Sequence, residues 1–269
     1  VIATASPTFL YIDYGASPYI GRELRYSLAT LLAECPAARV VVYTDKPRIY
    51  ETLHPAVTPR SIADDLRAWT RDGLLPHRAK ACALRDALDK IGGLCVLLDT
   101  DSYIQPGFAE ALARAVAVGP AMDHFEQIDP FPDAAGFRAD LPRSGRYAYD
   151  PAISQMCNSG LVAVEADRDG AAIEDALALI DAFLDAGHRS FKIEQVSFSE
   201  TLRRLGRGIG EMRPAFQHYY RRSLKRYMHW RLDAWMRRAQ DFAPTRPCIV
   251  HPRNAVRAFN LVNRVIPRY

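Results

Sequence analysis

Leu94-Cys95-Val96-Leu97-Leu98-Asp99-Thr100-Asp101 is the stretch on which the fold turns. Five consecutive apolar residues suit a strand buried on both faces, the pattern of a parallel sheet covered by helices. Gly92-Gly93 in front of it supplies a left-handed stop for a preceding helix, whose apolar spacing runs from about His77 to Lys90. Behind it, Pro106-Gly107 introduces a further helical stretch through Val118.

The same alternation extends outward in both directions. Toward the N-terminus, Val40-Val41-Val42-Tyr43-Thr44 reads as a second buried strand. Before it come a helix over Arg22 to Ala33, with Leu24, Leu28, Leu31 and Leu32 on one face, and a first strand over Phe9 to Asp13. Ser61 and Asp64 resemble a capping box and predict a helix start. Toward the C-terminus, Glu126 to Met156 is rich in Pro, Gly, Asp and Arg and reads as a long loop. Leu161 to Val164 is a fourth strand, Ala171 to Ala186 and Glu194 to Leu205 are helices, and Cys248-Ile249-Val250 is a late short strand. Alternating strands and helices predict an α/β fold, a mainly parallel sheet with helices on both faces. Ligands of such sheets bind beyond the carboxyl ends of the strands, where Asp13, Asp45, Asp99, Asp101 and His251 fall. The expected organisation is one α/β domain over residues 1–212 and a basic helical extension over 213–269 that closes onto it.

Composition narrows the function classes. The 269 residues are 49% hydrophobic and 25% charged, ordinary for a globular chain, and the net charge of +4 does not by itself argue for nucleic acid. Five scattered cysteines (Cys35, Cys82, Cys95, Cys157 and Cys248) contain no CxxC pair, which argues against a zinc site and suits a reducing cytoplasm. No apolar run is long enough for a membrane span, and Val1 to Phe9 lacks the pattern of a signal peptide, so a cytoplasmic location is expected.

The chemistry rests on Asp99 and Asp101. Two carboxylates at the end of a buried strand are unfavourable unless a positive charge compensates them. A hard divalent cation, Mn²⁺ or Mg²⁺, would do so and would bridge the phosphates of a diphosphate. Such a cation neutralises charge on a departing diphosphate. The bland alternative is a pair that caps the following turn and faces solvent. Another enzyme class also opens with a hydrophobic strand and this triplet: the HAD-type phosphohydrolases, which would use Asp99 as nucleophile and Asp101 as acid/base. There the motif stands near the chain start and is followed by Thr, whereas Ser102 and Tyr103 follow here.

Five stretches, in order, carry a resemblance. They are Phe9 to Tyr19 with Val40 to Asp45; His77-Arg78-Ala79-Lys80; Leu97-Leu98-Asp99-Thr100-Asp101; Asn158-Ser159-Gly160-Leu161; and Glu194-Gln195. Together, over about residues 9–205, the chain resembles the GT-A fold glycosyltransferases, particularly the retaining family 8 group of glycogenin and bacterial lipopolysaccharide galactosyl- and glucosyltransferases. The resemblance implies a GT-A-like (Rossmann-like) fold, a nucleotide-diphosphate sugar donor, most naturally a UDP-sugar, and a saccharide or lipid-linked saccharide acceptor. It implies Asp99 and Asp101 as metal ligands and Asp101, Glu194 and Gln195 as catalytic residues. Tyr11, Asp13, Tyr19, Arg78, Lys80, Asp99, Asn158 and Ser159 would then bind the donor. The family's third ligand is a His in a glycine- and lysine-containing motif; His251, in Val250-His251-Pro252-Arg253-Asn254, is the candidate, without that glycine pattern. Glu194 stands where the family commonly has Asp.

Each role has a structural alternative. Tyr11 sits within a strand and suits the core. Lys80 and Arg78 suit a solvated helix surface, and Asn158-Ser159-Gly160 is a good turn on its own. Glu194 and Gln195 suit a helix N-terminus, and His251 suits a solvent-facing strand end. From Gln217 to Asp241, Leu224, Met228, Leu232 and Trp235 share one helical face flanked by Arg221, Arg222, Lys225 and Arg226. Such a helix either lies on an anionic membrane, here its inner face, or packs on the domain with a basic edge in water. A non-enzymatic membrane- or nucleic-acid-binding module is the remaining reading, although no nucleic-acid-binding motif supports it.

Overall fold

The computed structural model describes residues 6–126, 156–238, 242–248, 255, 256, 258, 259 and 261. In chain order its elements are β1 (Thr8–Asp13), α1 (Pro18–Glu34), β2 (Arg39–Thr44), β3 (Val57–Ser61), α2 (Leu66–Trp69), α3 (Arg78–Lys90) and β4 (Leu94–Leu98). Next come β5 (Ser102–Ile104), α4 (Phe108–Val118), β6 (Ala121–Met122), β7 (Phe125–Glu126), β8 (Met156–Cys157) and β9 (Leu161–Glu165). The last are α5 (Ala166–Asp185), α6 (Lys192–Arg203), β10 (Gly210–Glu211), β11 (Phe216–His218) and α7 (Arg222–Arg238).

Seven strands form the central sheet in the order β10-β6-β9-β4-β1-β2-β3. Strands β4, β1, β2 and β3 run parallel, as do β6 and β10, while β9 is antiparallel to both of its neighbours. The fourth strand expected from sequence therefore exists, but it reverses direction inside a mainly parallel sheet.

The two-residue period of the strands divides the core. Leu10, Val41, Tyr43, Cys95 and Leu97 face one side, against Ala81, Leu84 and Leu88 of α3 and Ile173, Leu177 and Ile180 of α5. Phe9, Tyr11, Val40, Val42, Val96 and Leu98 face the other, against Leu24, Leu28 and Leu31 of α1 and Phe108 and Leu112 of α4. That division is why uninterrupted apolar runs were needed in β2 and β4. Gly92 and Gly93 after α3 adopt φ of 72° and 64°, the left-handed stop their pairing predicts.

Two expectations need correction, and a third falls largely outside the described residues. Ser61 does not begin a helix: it ends β3, and the helix beyond it, α2, has four residues. Strand β3 escaped notice because it contains Pro59, which is tolerated on an edge strand. Helix α5 starts at Ala166 rather than Ala171, its first turn secured by Asp169 Oδ2, which accepts from the Glu165 N–H at 2.9 Å. The late strand is not seen at Cys248, and residues 249–251 lie outside the described residues.

The expected loop from Glu126 to Met156 is described only at its two ends, which pair antiparallel as β7 and β8. The extension is tied to the main body through β11 and α7. Strand β11 pairs antiparallel with β5. Helix α7 packs on α1 through Tyr26 against Trp235, an Arg22–Asp233 ion pair, and Glu23 with His229 at 2.6 Å. Tyr227, Met228 and Leu232 are buried there, while Arg221, Arg222, Arg226, Arg237 and Arg238 are exposed. Among the described residues no helix is long and apolar enough to cross a membrane.

Candidate metal centre and its cleft

The carboxylates emerge from β4 into a pinned turn. The Asp99 N–H donates to Gly160 O at 2.8 Å, and Ser102 Oγ donates to Asp99 O at 2.6 Å. Strand β5 then begins at once, and its pairing sets His218 opposite Ser102. The Tyr219 N–H donates to Asp101 O at 3.0 Å, which fixes the register locally. An imidazole from the C-terminal region thereby reaches the paired carboxylates. His218 Nε2 lies 3.2 Å from Asp101 Oδ1 and 3.5 Å from Asp99 Oδ2. One donor atom from each of Asp99, Asp101 and His218 lies within 4.8 Å of the others.

Two carboxylates facing one ring nitrogen demand a positive charge between them. Without a metal ion the proton supplies it. Burial opposes the imidazolium, but Asp101 above all, with Asp123 and Asp99, raises the His218 pKa to about 10. Asp101 is held well below the usual carboxylate range: burial opposes ionisation, and His218 and Lys225 outweigh it. A divalent cation would take the place of that proton. Two carboxylate oxygens and one imidazole nitrogen fit a divalent cation that accepts mixed oxygen and nitrogen ligands, which favours Mn²⁺ over Mg²⁺.

Lysines flank the centre. Lys225, on α7, places Nζ 2.9 Å from Asp101 Oδ2. Lys80, on α3, is buried, with Nζ 2.8 Å from Asp99 Oδ1, 3.3 Å from Glu194 Oε1 and 3.1 Å from Ser159 O. Lys80 is thus committed to two carboxylates of the protein rather than free to meet a diphosphate. The Glu194 carboxyl is raised above its usual pKa by burial, against the pull of Lys80, and it accepts from Ser159 Oγ at 2.9 Å.

Glu126 is the hub of the far wall. Its carboxylate accepts from Gln195 Nε2 at 2.7 Å, Tyr220 OH at 2.8 Å and Asn158 Nδ2 at 3.0 Å, with Lys192 Nζ at 3.3 Å. These residues line a cleft of about 1260 Å³ that opens over Asp99, Asp101 and His218.

Sequence reading gathered Asp99, Asp101, Lys80, Asn158, Ser159, Glu194 and Gln195, and the fold brings all seven to this cleft. Four others go elsewhere. Tyr11 is fully buried, its hydroxyl 2.9 Å from Ser27 Oγ, so it is a core residue without a face for a ligand. Asp13, also buried, accepts from Tyr50 OH. Tyr19 is 44% exposed on α1 and stacks on the His229 ring at 4.4 Å. Arg78 turns away from the cleft and forks onto Asp181 at 2.8 and 2.9 Å. His251 lies outside the described residues, and among the described residues it is His218 that brings an imidazole to the carboxylates.

His218, Lys225 and Asp123 were missed. The signal for His218 was the alternation Phe216-Gln217-His218, a short strand with a polar residue at its end. Lys225 was visible only as one basic flank of the α7 pattern. Comparison of the chain with protein-family models and with curated proteins finds no match in either.

Proposed function

We propose that the chain is a metal-dependent glycosyltransferase of GT-A-like architecture. It moves a sugar, retaining its anomeric configuration, from a nucleotide-diphosphate donor, a UDP-sugar, to a hydroxyl of a glycan or lipid-linked saccharide. The observation that carries this reading is the convergence of Asp99, Asp101 and His218 beyond the carboxyl end of β4, at the mouth of a cleft walled by Glu194 and Gln195. Asp99, Asp101 and His218 would hold the cation. When bound, it supplies charge neutralisation for a departing diphosphate.

The protein's own groups do the rest. Lys225 is partly exposed on α7 and offers a second positive charge at the same point. Ser159 Oγ donates to Glu194 Oε2, and Lys80 stands 3.3 Å from Oε1 as its counter-charge. The Gln195 amide nitrogen donates to Glu126 and its carbonyl oxygen accepts from Lys192 Nζ at 3.4 Å, which leaves that oxygen's second lone pair for a sugar hydroxyl. Exposed arginines of α7 would suit an anionic membrane that carries a lipid-linked acceptor.

The phosphohydrolase reading needs Asp101 to give and take a proton, yet both of its oxygens are engaged by cationic side chains. Incubation with a panel of UDP-sugars and Mn²⁺, following UDP release, tests the proposal. Metal-dependent release that is lost in Asp99→Asn supports it. Phosphate release from p-nitrophenyl phosphate with no UDP release would favour the phosphohydrolase.

A further inference from the structure

The Asn158-Ser159-Gly160 turn lines the cleft and packs directly against His218. Asn158 Oδ1 lies 2.9 Å from His218 Nδ1 and also accepts the Gly160 N–H at 2.9 Å. Asn158 Nδ2 donates to Glu126 at 3.0 Å. These three contacts leave the amide one orientation: the atom toward His218 is the oxygen. Nδ1 of His218 must then be the donor, and Nε2 is the nitrogen that faces Asp101 and Asp99.

Gly160 completes the seat. A Cβ added there would stand 2.2 Å from His218 Nδ1 and 2.8 Å from Cγ, so the ring lies directly against the glycine. Behind it, Asp123 is fully buried, with Oδ2 3.5 Å from His218 Nδ1 and 3.1 Å from His124 Nδ1, and Oδ1 3.5 Å from Arg213 Nε. Neither Asp123 oxygen makes a hydrogen bond of ordinary geometry. Backbone pairing locks Asp123 to the turn: its N–H donates to Asn158 O at 3.2 Å, and the Asn158 N–H to His124 O at 2.7 Å.

We infer that Asn158, Gly160 and Asp123 form the seat of the third metal ligand. Asn158 and Asp123 are positioning residues: Asn158 Oδ1 accepts the His218 Nδ1–H, the buried charge of Asp123 3.5 Å away favours that tautomer, and Gly160 makes room for the ring, so that Nε2 is left for the cation. This inference rests on the metal reading above. A ligating imidazole held through its other nitrogen by an acceptor is a general device, and loss of such an acceptor weakens metal binding about 10- to 100-fold.

The test is Mn²⁺ affinity of the full chain without substrate, read from the free-Mn²⁺ electron paramagnetic resonance signal, alongside metal-free thermal unfolding. Asn158→Ala is expected to weaken Mn²⁺ about 10- to 100-fold. If Asn158→Ala does not fold, Asp123→Asn takes its place, with roughly tenfold weaker binding expected. Wild-type affinity in Asn158→Ala, or in Asp123→Asn where it is the variant used, overturns the seat while loss of binding in His218→Ala leaves the metal centre standing. No Mn²⁺ binding by the wild type, or unchanged binding in His218→Ala, overturns the metal reading and the seat with it.

Discussion

Arg78 and Lys80 stand two residues apart on α3, and their surroundings differ in kind. Two residues turn a helix by roughly 200°, so the side chains leave it on opposite sides. Arg78 meets Asp181 as a fork, shares it with Arg71 at 3.0 Å, and donates to the carbonyls of Ala68 and Trp69. That cluster is geometrically satisfied and joins α3 to α5. Lys80 faces the cleft, where Asp99 and Glu194 share its single ammonium and where Glu194 Oε1 makes no hydrogen bond of ordinary geometry. A finished ion cluster holds a fold together. An unfinished one, buried at the carboxyl end of a parallel sheet, is a candidate functional site, and a cation is what we propose completes this one.

The contrast is tested first where the effect is largest. Asp101→Ala should lower metal-dependent turnover roughly a thousandfold, because one ligand and the partner of Lys225 and His218 vanish together. Steady-state UDP release with the cognate donor measures it, and turnover within tenfold of wild type would break the contrast. Lys225→Ala should lower kcat roughly a hundredfold with little change in thermal midpoint. An equal loss in unfolding stability would instead make Lys225 part of the scaffold.

Lys80→Met should act on the fold itself. It leaves the Asp99 and Glu194 carboxylates facing each other with no cation between them, and should lower unfolding free energy by about 3–5 kcal/mol in metal-free protein. Urea titration gives the value, and added Mn²⁺ should recover part of the loss. Arg78→Ala, on the other face of the helix, should cost about 1–2 kcal/mol and leave Mn²⁺ affinity unchanged, since its partners are part-exposed.

The smallest effect concerns pH. Burial opposes ionisation of Asp181, but Arg78 and Arg71 outweigh it and hold its pKa below the usual value. A depressed folded-state pKa contributes stability that is fully present above the unfolded value, about pH 4, and is lost as pH falls through the folded value. Asp181→Asn should therefore flatten the fall of stability below about pH 4, by under about 1 kcal/mol given the exposure of the cluster.

The fold was legible where burial on both faces forces a continuous apolar run, as in Val40 to Tyr43 and Leu94 to Leu98. It was not legible at Val57 to Ser61, where an edge strand tolerates Pro59, nor in the direction of β9. A parallel and an antiparallel strand buried on both faces carry the same side-chain pattern, and only the path of the intervening chain sets them apart. Within the site, the DxD pair and the Asn158-Ser159-Gly160 turn could be read because each lies at an element end with its own local signal. Arg78 and Lys80 could not be told apart, since their partners, Asp181 and Glu194, are about a hundred residues distant. His218 was hidden for a similar reason. Its role depends on the pairing of β11 with β5, a contact across 117 residues between His218 and Asp101 that no local pattern announces.

The central claim is that Asp99, Asp101 and His218 assemble a cation site for a nucleotide diphosphate. Calorimetric titration of UDP into the wild type and His218→Ala, each with and without Mn²⁺, tests it most directly. Mn²⁺-dependent UDP binding is expected in the wild type, with its loss in His218→Ala at an unchanged thermal midpoint. UDP binding that is indifferent to Mn²⁺, that survives the substitution, or that is absent from folded wild-type protein with Mn²⁺ present would contradict it.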